Sequence, residues 1–211
     1  MLYAVGMVTL RERKKARTRQ ALIDAAVELF SARGYEQTTI ADLAAAADIG
    51  TRTFFSYFAS KEDLLFASGD KRVEAAVDAI AHRRPGDRAA DVLLRALSNA
   101  AGLDDDLVSP LAALRMRLIQ TVPAVRGRGL QLQLDAQRQI AGHLRAAFPD
   151  ELDDMGAAAL VGAFVGAVTG ALLALTESPD APTGGPEQLK EQVQRATDLA
   201  LRPWRHDRAG G

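Results

Sequence analysis

The sequence predicts an all-α chain: an N-terminal helix-turn-helix head of three helices, then a larger C-terminal helical bundle, about nine helices in all. Three observations carry this. Ala, Leu, Arg, Gln and Glu, the strong helix formers, dominate throughout, and no run alternates β-branched with polar residues. Breaks fall at helix-length intervals: Gly34, 47–50, Ala59–Ser60, Pro85–Gly86, Ser109–Pro110, Pro123, Pro149–Asp150 and 178–186. Seven of the eleven aromatic residues (Phe30, Tyr35, Phe54, Phe55, Tyr57, Phe58, Phe66) gather between residues 30 and 66. That suits a small head with few residues from which to build a core.

Taken in order, residues 11–33 form the first helix, with Ile23, Ala26, Val27 and Phe30 along one face. Gly34 follows where a left-handed C-cap is expected. A short helix over Ile40–Ala46 starts behind Thr39 as N-cap. The turn Ala47-Asp48-Ile49-Gly50 leads into another short helix over Thr51–Phe58. Ser60 and Asp63 resemble a capping box, with Asp in place of the usual Glu, that opens a fourth helix from Lys61 to Arg83. Beyond Pro85, helices are expected over 87–102, 109–121, 124–148, 152–177 and 186–201.

Composition bounds the function. A 211-residue chain with 48% hydrophobic and 25% charged residues is ordinary soluble globular material. Its net charge of −1 conceals an asymmetry: residues 11–19 carry +5, leaving −6 for the rest. A basic segment on an acidic body suits contact with a polyanion at one end. With no cysteine, disulfides, thiolate zinc sites and cysteine nucleophiles are excluded. His82, His143 and His206 are too scattered for a metal cluster. No phosphate loop, zinc-protease motif or serine elbow occurs, so neither an enzyme nor a cofactor is expected. Residues 1–10 lack a basic n-region and a long apolar core; no signal peptide is read there, Met7 is an alternative start, and a cytoplasmic location is expected.

Two short helices joined by a tight turn, behind a longer helix and a basic segment, are what reading a major groove requires: the second short helix lies in the groove while the first crosses the backbone. The segment TTIADLAAAADIGTRTFFSYFASKEDLL, preceded by TRQALIDAAVELFSARGY, resembles the signature of the TetR family of transcriptional regulators over residues 17–66. The resemblance implies a DNA-binding domain over 17–60, a ligand-binding and dimerisation domain over 61–203, a flexible basic arm over 1–16 and a tail over 204–211. It implies phosphate or base contacts from Arg17, Arg19, Thr39, Gly50, Thr51, Arg52, Thr53, Phe55, Tyr57 and Lys61. Phe55 stands where the family often has Tyr and serves either packing or the DNA surface. Arg52 departs from a common Gly and adds a guanine contact, since Arg reads O6 and N7 bidentately. Ile49, Phe54 and Phe58 are expected in the core of the head.

From Met155 to Thr176 there is no charged residue, a run long enough to span a bilayer. It is rich in Ala and Gly, carries acidic residues on both flanks and has no Lys, Arg, Trp or Tyr anchor, so a membrane span is the rival rather than the preferred reading. A helical interaction protein without DNA binding is the other alternative. In a TetR-like homodimer the last two long helices of each subunit pack as a four-helix bundle. The small-residue ridge Gly162, Gly166, Gly170 would let two such helices approach closely, with Val165, Thr169, Leu172, Leu173, Val193, Ala196 and Ala200 in the contact. Two heads related by a two-fold axis would read a palindromic double-stranded operator. A hydrophobic or amphiphilic effector would release it, with Leu94, Leu97, Leu114, Leu118, Ile119, Leu130, Leu134 and Phe164 as pocket candidates. Arg115, Arg117, Gln133, Gln137 and His143 are the polar candidates beside them.

Overall fold

The computed structural model describes residues 9–99, 109–177 and 185–205, which form two compact units, one ending at Ala67 and the other beginning at Ser68. The first unit holds α1 (Leu10–Arg33), α2 (Ile40–Ala46), α3 (Thr51–Phe54) and a 3-10 helix (Glu62–Phe66). The second holds α4 (Gly69–Ala81), α5 (Ala89–Asn99), α6 (Pro110–Thr121), α7 (Pro123–Ala147), α8 (Asp154–Glu177) and α9 (Gly185–Arg205). Every regular element among the described residues is helical, as the composition predicts.

Several boundaries differ from the sequence expectation, each for a local reason. The arm expected to be flexible is helical from Leu10, because Thr9 and Glu12 cap it reciprocally: Glu12 N–H donates to Thr9 Oγ1 (3.2 Å) and Thr9 N–H to the Glu12 carboxylate (2.7 Å). The buried face of α1 is Leu22, Ala25, Ala26 and Phe30; Ile23 and Val27 stay half-exposed. Gly34 does take a positive φ (90°), but with ψ of 157° rather than the left-handed helical value. Its N–H still closes the helix on the Phe30 carbonyl (3.1 Å).

The expected helix from Lys61 to Arg83 is two pieces. Ser60 and Asp63 make the anticipated reciprocal cap (3.1 and 3.3 Å), yet the segment runs as a 3-10 turn and stops at Phe66. The Ala67 carbonyl, which a continuous helix would present to the N–H of Lys71, instead accepts from the Arg19 guanidinium at 2.7 Å. A new helix starts at Gly69 and ends at His82, which serves as its C-cap.

In the second unit the break expected at Ser109–Pro110 is a helix start: Ser109 caps α6 with Pro110 in the first turn (Ala112 N–H to Ser109 Oγ, 3.1 Å). Arg126 folds back from α7 onto the Ile119 and Gln120 carbonyls (3.0 and 2.6 Å), satisfying the C-terminal end of α6. The core joins Ala76 and Ile80 of α4, Val92 and Leu93 of α5, Ile140 and Leu144 of α7, Leu160 and Val161 of α8, and Leu201 of α9. α9 continues through Pro203 to Arg205, past the expected end at 201. Trp204 packs against the core, and Arg205 pairs with Asp91 (3.0 Å) and Asp198 (3.2 Å).

Candidate nucleic-acid interface

The turn between α2 and α3 follows from its backbone. Asp48 adopts φ of 53°, a region L-residues other than Asn and Asp seldom enter. This lets Ile49 N–H reach back to the Ala44 carbonyl (2.9 Å) and Asp48 N–H to that of Ala45 (3.1 Å). Gly50 then caps α3 in extended conformation, its carbonyl accepting from Thr53 (2.9 Å) and Phe54 (3.2 Å) N–H groups. The regular α-helix ends at Phe54, four residues short of the expected end. The chain tightens there, with Ser56 N–H bonding to Thr53 and Tyr57 N–H to Phe54, before Phe58 closes on Phe54 (3.1 Å).

Those bonds turn Phe54 and Phe58 into the core beside Leu22, Phe30, Leu43, Leu64 and Leu65, as expected of them, while Ile49 stays half-exposed. Phe54 is fully buried, and its burial stabilises the head by about 2–3 kcal/mol. The opposite face presents Thr51, Arg52, Thr53 and Phe55 to solvent. Phe55, 54% exposed, stands edge-on to Phe54 with ring centroids 5.5 Å apart. Arg52 makes no hydrogen bond or ion pair among the described residues. Tyr57 is half-buried and its hydroxyl has no protein partner among the described residues. On α1, Arg11, Arg13, Lys14, Lys15 and Arg17 are all exposed.

Three of the predicted contact residues are engaged inside the head instead. Arg19 donates to the carbonyls of Tyr57 (3.3 Å) and Ala67 (2.7 Å) and lies 4.4 Å from the centroid of the Phe58 ring. Lys61 donates to the carbonyls of Tyr35 (2.8 Å) and Thr38 (3.1 Å) and sits 4.0 Å over the Tyr35 ring. Thr39 is exposed and caps α2 as expected, but its hydroxyl proton goes to the Asp42 carboxylate (2.6 Å) while its oxygen accepts from Asp42 N–H (3.1 Å). The bonds that the Asp42 carboxyl accepts from the Thr39 hydroxyl and then from the Thr39 N–H hold it below its ordinary range.

The Lys61 tie belongs to a network the sequence did not announce. The buried Tyr35 stacks obliquely on Phe30 (5.1 Å) and donates its hydroxyl to Glu62. Burial, then the bond to Glu62, pushes the Tyr35 phenol far above its ordinary range. Burial would also raise Glu62, but the bonds from Tyr35, its own N–H and Ser60, with Lys61 alongside, bring that carboxyl below its usual value.

In the second unit the candidate pocket residues are not equivalent. Leu94, Leu114 and Leu118 are buried, Leu97, Ile119 and Phe164 half-buried, and Leu130 and Leu134 of α7 are 56% and 43% exposed. Of the polar candidates, Arg115 is buried, Gln133 and Gln137 are half-buried, and Arg117 and His143 are exposed. Among the candidate dimer residues, Val193 is only 1% exposed within the chain. It lies one turn from buried Thr197, whose hydroxyl bonds to the Val193 carbonyl (3.0 Å), so it faces its own subunit. Gly166 is exposed; Gly162, Val165, Thr169, Leu172, Leu173, Ala196 and Ala200 are partly exposed. A Cβ built at Gly162, Gly166 or Gly170 would touch nothing.

Two short helices joined by a tight turn and held by α1, followed by a second unit whose described elements are all helices, define a helix-turn-helix regulator fold. Residues 22–68 match the model of the bacterial regulatory proteins of the tetR family. The chain is 34% identical over 150 residues to the HTH-type transcriptional regulator TcmR of Streptomyces glaucescens, covering 69% of this chain and 66% of that protein's length. Its fold matches Thermus thermophilus FadR, a TetR-family transcriptional repressor solved in complex with lauroyl-CoA (TM-score 0.57, 22% identity, 92% of this chain and 99% of that one). It also matches the fatty acid degradation regulator FadR of Bacillus halodurans (TM-score 0.55, 20% identity, 90% and 97%). The chain belongs to the TetR family.

Proposed function

We propose that the chain is a homodimeric, sequence-specific DNA-binding transcriptional regulator, a repressor that a hydrophobic or amphiphilic small molecule releases from a palindromic operator. The observation that carries the reading is the exposed face of α3. There an arginine with no partner among the described residues stands beside an exposed aromatic ring, on a helix whose other face is locked into the core. Arg17, Thr51, Thr53 and Tyr57, with the Gly50 backbone, supply the phosphate and base-edge contacts around it. Arg19 and Lys61 support that surface from inside the head. Thr39 contributes chiefly as the cap of α2.

The second copy is argued from α8. Asp154–Leu175 is long and apolar enough to cross a membrane, with mean hydropathy 2.2, and only 11% of its most apolar stretch is buried within the chain. A partner's α8 and α9 would cover that surface, with Gly162, Gly166 and Gly170 at the closest approach and Ala196 and Ala200 flanking it. A membrane would cover it too, but the acidic flanks and missing aromatic anchors disfavour that. Lauroyl-CoA, bound by the Thermus FadR, is the first amphiphile to test as effector. It releases DNA only if it binds the DNA-incompetent conformation more tightly.

The test is fluorescence anisotropy against DNA selected from random sequence, titrated at several salt concentrations, with Arg52→Ala and Tyr57→Ala alongside. Specific, palindromic, salt-sensitive binding weakened by both substitutions is expected. Equal, weak binding to all DNA would overturn the reading. Elution as a dimer without detergent is expected, and a requirement for detergent would favour the membrane alternative.

A further inference from the structure

The DNA-reading proposal leaves open which bases are read, and the structure narrows the readers to a pair. Three of the predicted contact residues spend their donors inside the head: Arg19 on two carbonyls, Lys61 on two more, Thr39 on Asp42. On α3 and at its C-cap the large side chains left facing solvent are Arg52 and Phe55. They are three residues apart, and Phe55 itself keeps helical dihedrals (φ −65°, ψ −11°), so the two side chains share one face about one turn apart.

The chemistry of each side chain selects its base. A guanidinium with no internal partner matches guanine, which alone offers two acceptors, O6 and N7, side by side in the major groove. Phe55 can neither donate nor accept a hydrogen bond, so a phosphate gains nothing from it. The major groove offers one apolar group, the thymine C5-methyl. The ring is held for such a contact: it is braced edge-on by a fully buried Phe54, and just over half of it remains open. We propose, resting on the DNA-binding reading above, that each operator half-site carries a guanine read by Arg52 and a nearby thymine whose methyl packs on Phe55.

The experiment uses the full-length protein and a site selected from random DNA. Each thymine is replaced singly by deoxyuridine, which removes only the methyl, and each guanine by 7-deazaguanine, which removes only N7. Affinities are measured for wild type, Phe55→Ala and Arg52→Ala. One deoxyuridine position per half-site is expected to weaken binding about 4-fold, the worth of one buried methyl. One deazaguanine position is expected to weaken it about 5- to 10-fold. The deoxyuridine penalty should vanish in Phe55→Ala and persist in Arg52→Ala, and the deazaguanine penalty the reverse. Both variants alter exposed positions, and helical circular dichroism and a urea midpoint matching wild type will report that the head is folded. Tight specific binding with every deoxyuridine neutral, or with its penalty surviving in Phe55→Ala, overturns this inference and leaves the regulator reading standing. If no sequence is selected at all, the regulator reading falls and this inference with it.

Discussion

Replacing Arg19 by alanine separates two roles that the sequence alone cannot distinguish, a phosphate contact and an internal clamp. The structure makes it a clamp. Its bond to the Ala67 carbonyl is short and charge-assisted (2.7 Å) and is worth about 1.5–3 kcal/mol. The 3.3 Å bond to Tyr57 adds little, and the guanidinium over the Phe58 ring at 4.4 Å adds about 0.5–1 kcal/mol. Because Arg19 is half-exposed and these terms overlap, Arg19→Ala should cost the head about 2–3 kcal/mol. Hydrogen exchange in peptides covering residues 51–68 should then quicken by roughly 30- to 150-fold, at tenfold per 1.4 kcal/mol. DNA affinity should fall as well, but with the salt slope unchanged, since no phosphate contact is removed. The exposed Arg17, changed the same way, should lower the slope by about one and leave exchange alone. If Arg19→Ala lowers the slope by one and leaves exchange untouched, the clamp is wrong and Arg19 is a phosphate ligand.

Four further outcomes follow from the same structure. Gly34→Ala forces a side chain into a glycine-only conformation, with its Cβ 2.6 Å from Gln37 Oε1, and should destabilise the head by about 1–3 kcal/mol in urea denaturation. Glu62 loses its proton more readily in the folded head than in the unfolded chain, so its contribution holds above its ordinary value of 4.5 and is lost as pH falls below it. Tyr35 holds its proton more tightly when folded, so stability also falls as pH rises above 10.0; Glu62→Gln should flatten the acid limb of a urea-midpoint profile. Gly50 has ordinary dihedrals and open space around it, so Gly50→Ala should change stability by no more than about 0.5 kcal/mol yet weaken operator binding in anisotropy. Gly166→Leu with Gly170→Leu should leave the subunit folded and shift the dimer toward monomer, read by light scattering; an unchanged dimer would count against the ridge.

How far the sequence could be read depended on whether a feature was local. Caps at Thr39 and Ser60–Asp63 are short-range chemistry, and each was legible. So was the burial of Phe54 and Phe58, because a short helix has one core face. The break at Ala67–Ser68 was not legible. No proline stands there, and it depends on a guanidinium 48 residues upstream taking a carbonyl out of the helical ladder. The same distance hides the roles of Arg19 and Lys61: a basic residue near a helix-turn-helix reads as a phosphate ligand until the fold brings a bare carbonyl within reach. Val193 illustrates the converse, since a valine among alanines on an amphipathic helix does not say which of two neighbours, its own α8 or a partner's, it will meet.

What the folded chain leaves unused locates its partners better than what it uses. A glycine inside a helix costs about 1 kcal/mol against alanine, and a subunit recovers that only where the missing Cβ lets something come close. Gly156 has such a reason, with the Asp153 carboxylate 3.0 Å from where its Cβ would stand. Gly162, Gly166 and Gly170 have none within the chain, and they recur every fourth residue on a helix most of whose apolar residues are only partly covered. Three such costs in one line, without an internal return, are what a close helix–helix approach from outside would offset. Gly50 stands in the same position at the start of α3: nothing in the head requires it, while a larger residue there would stand between the helix end and whatever approaches Arg52 and Phe55. Gly127 and Gly142 of α7 also meet nothing within the chain, so open space alone does not mark a contact. What sets the α8 glycines apart is their recurrence every fourth residue on an apolar helix, and what sets Gly50 apart is its place at the start of α3 beside the exposed Arg52 and Phe55.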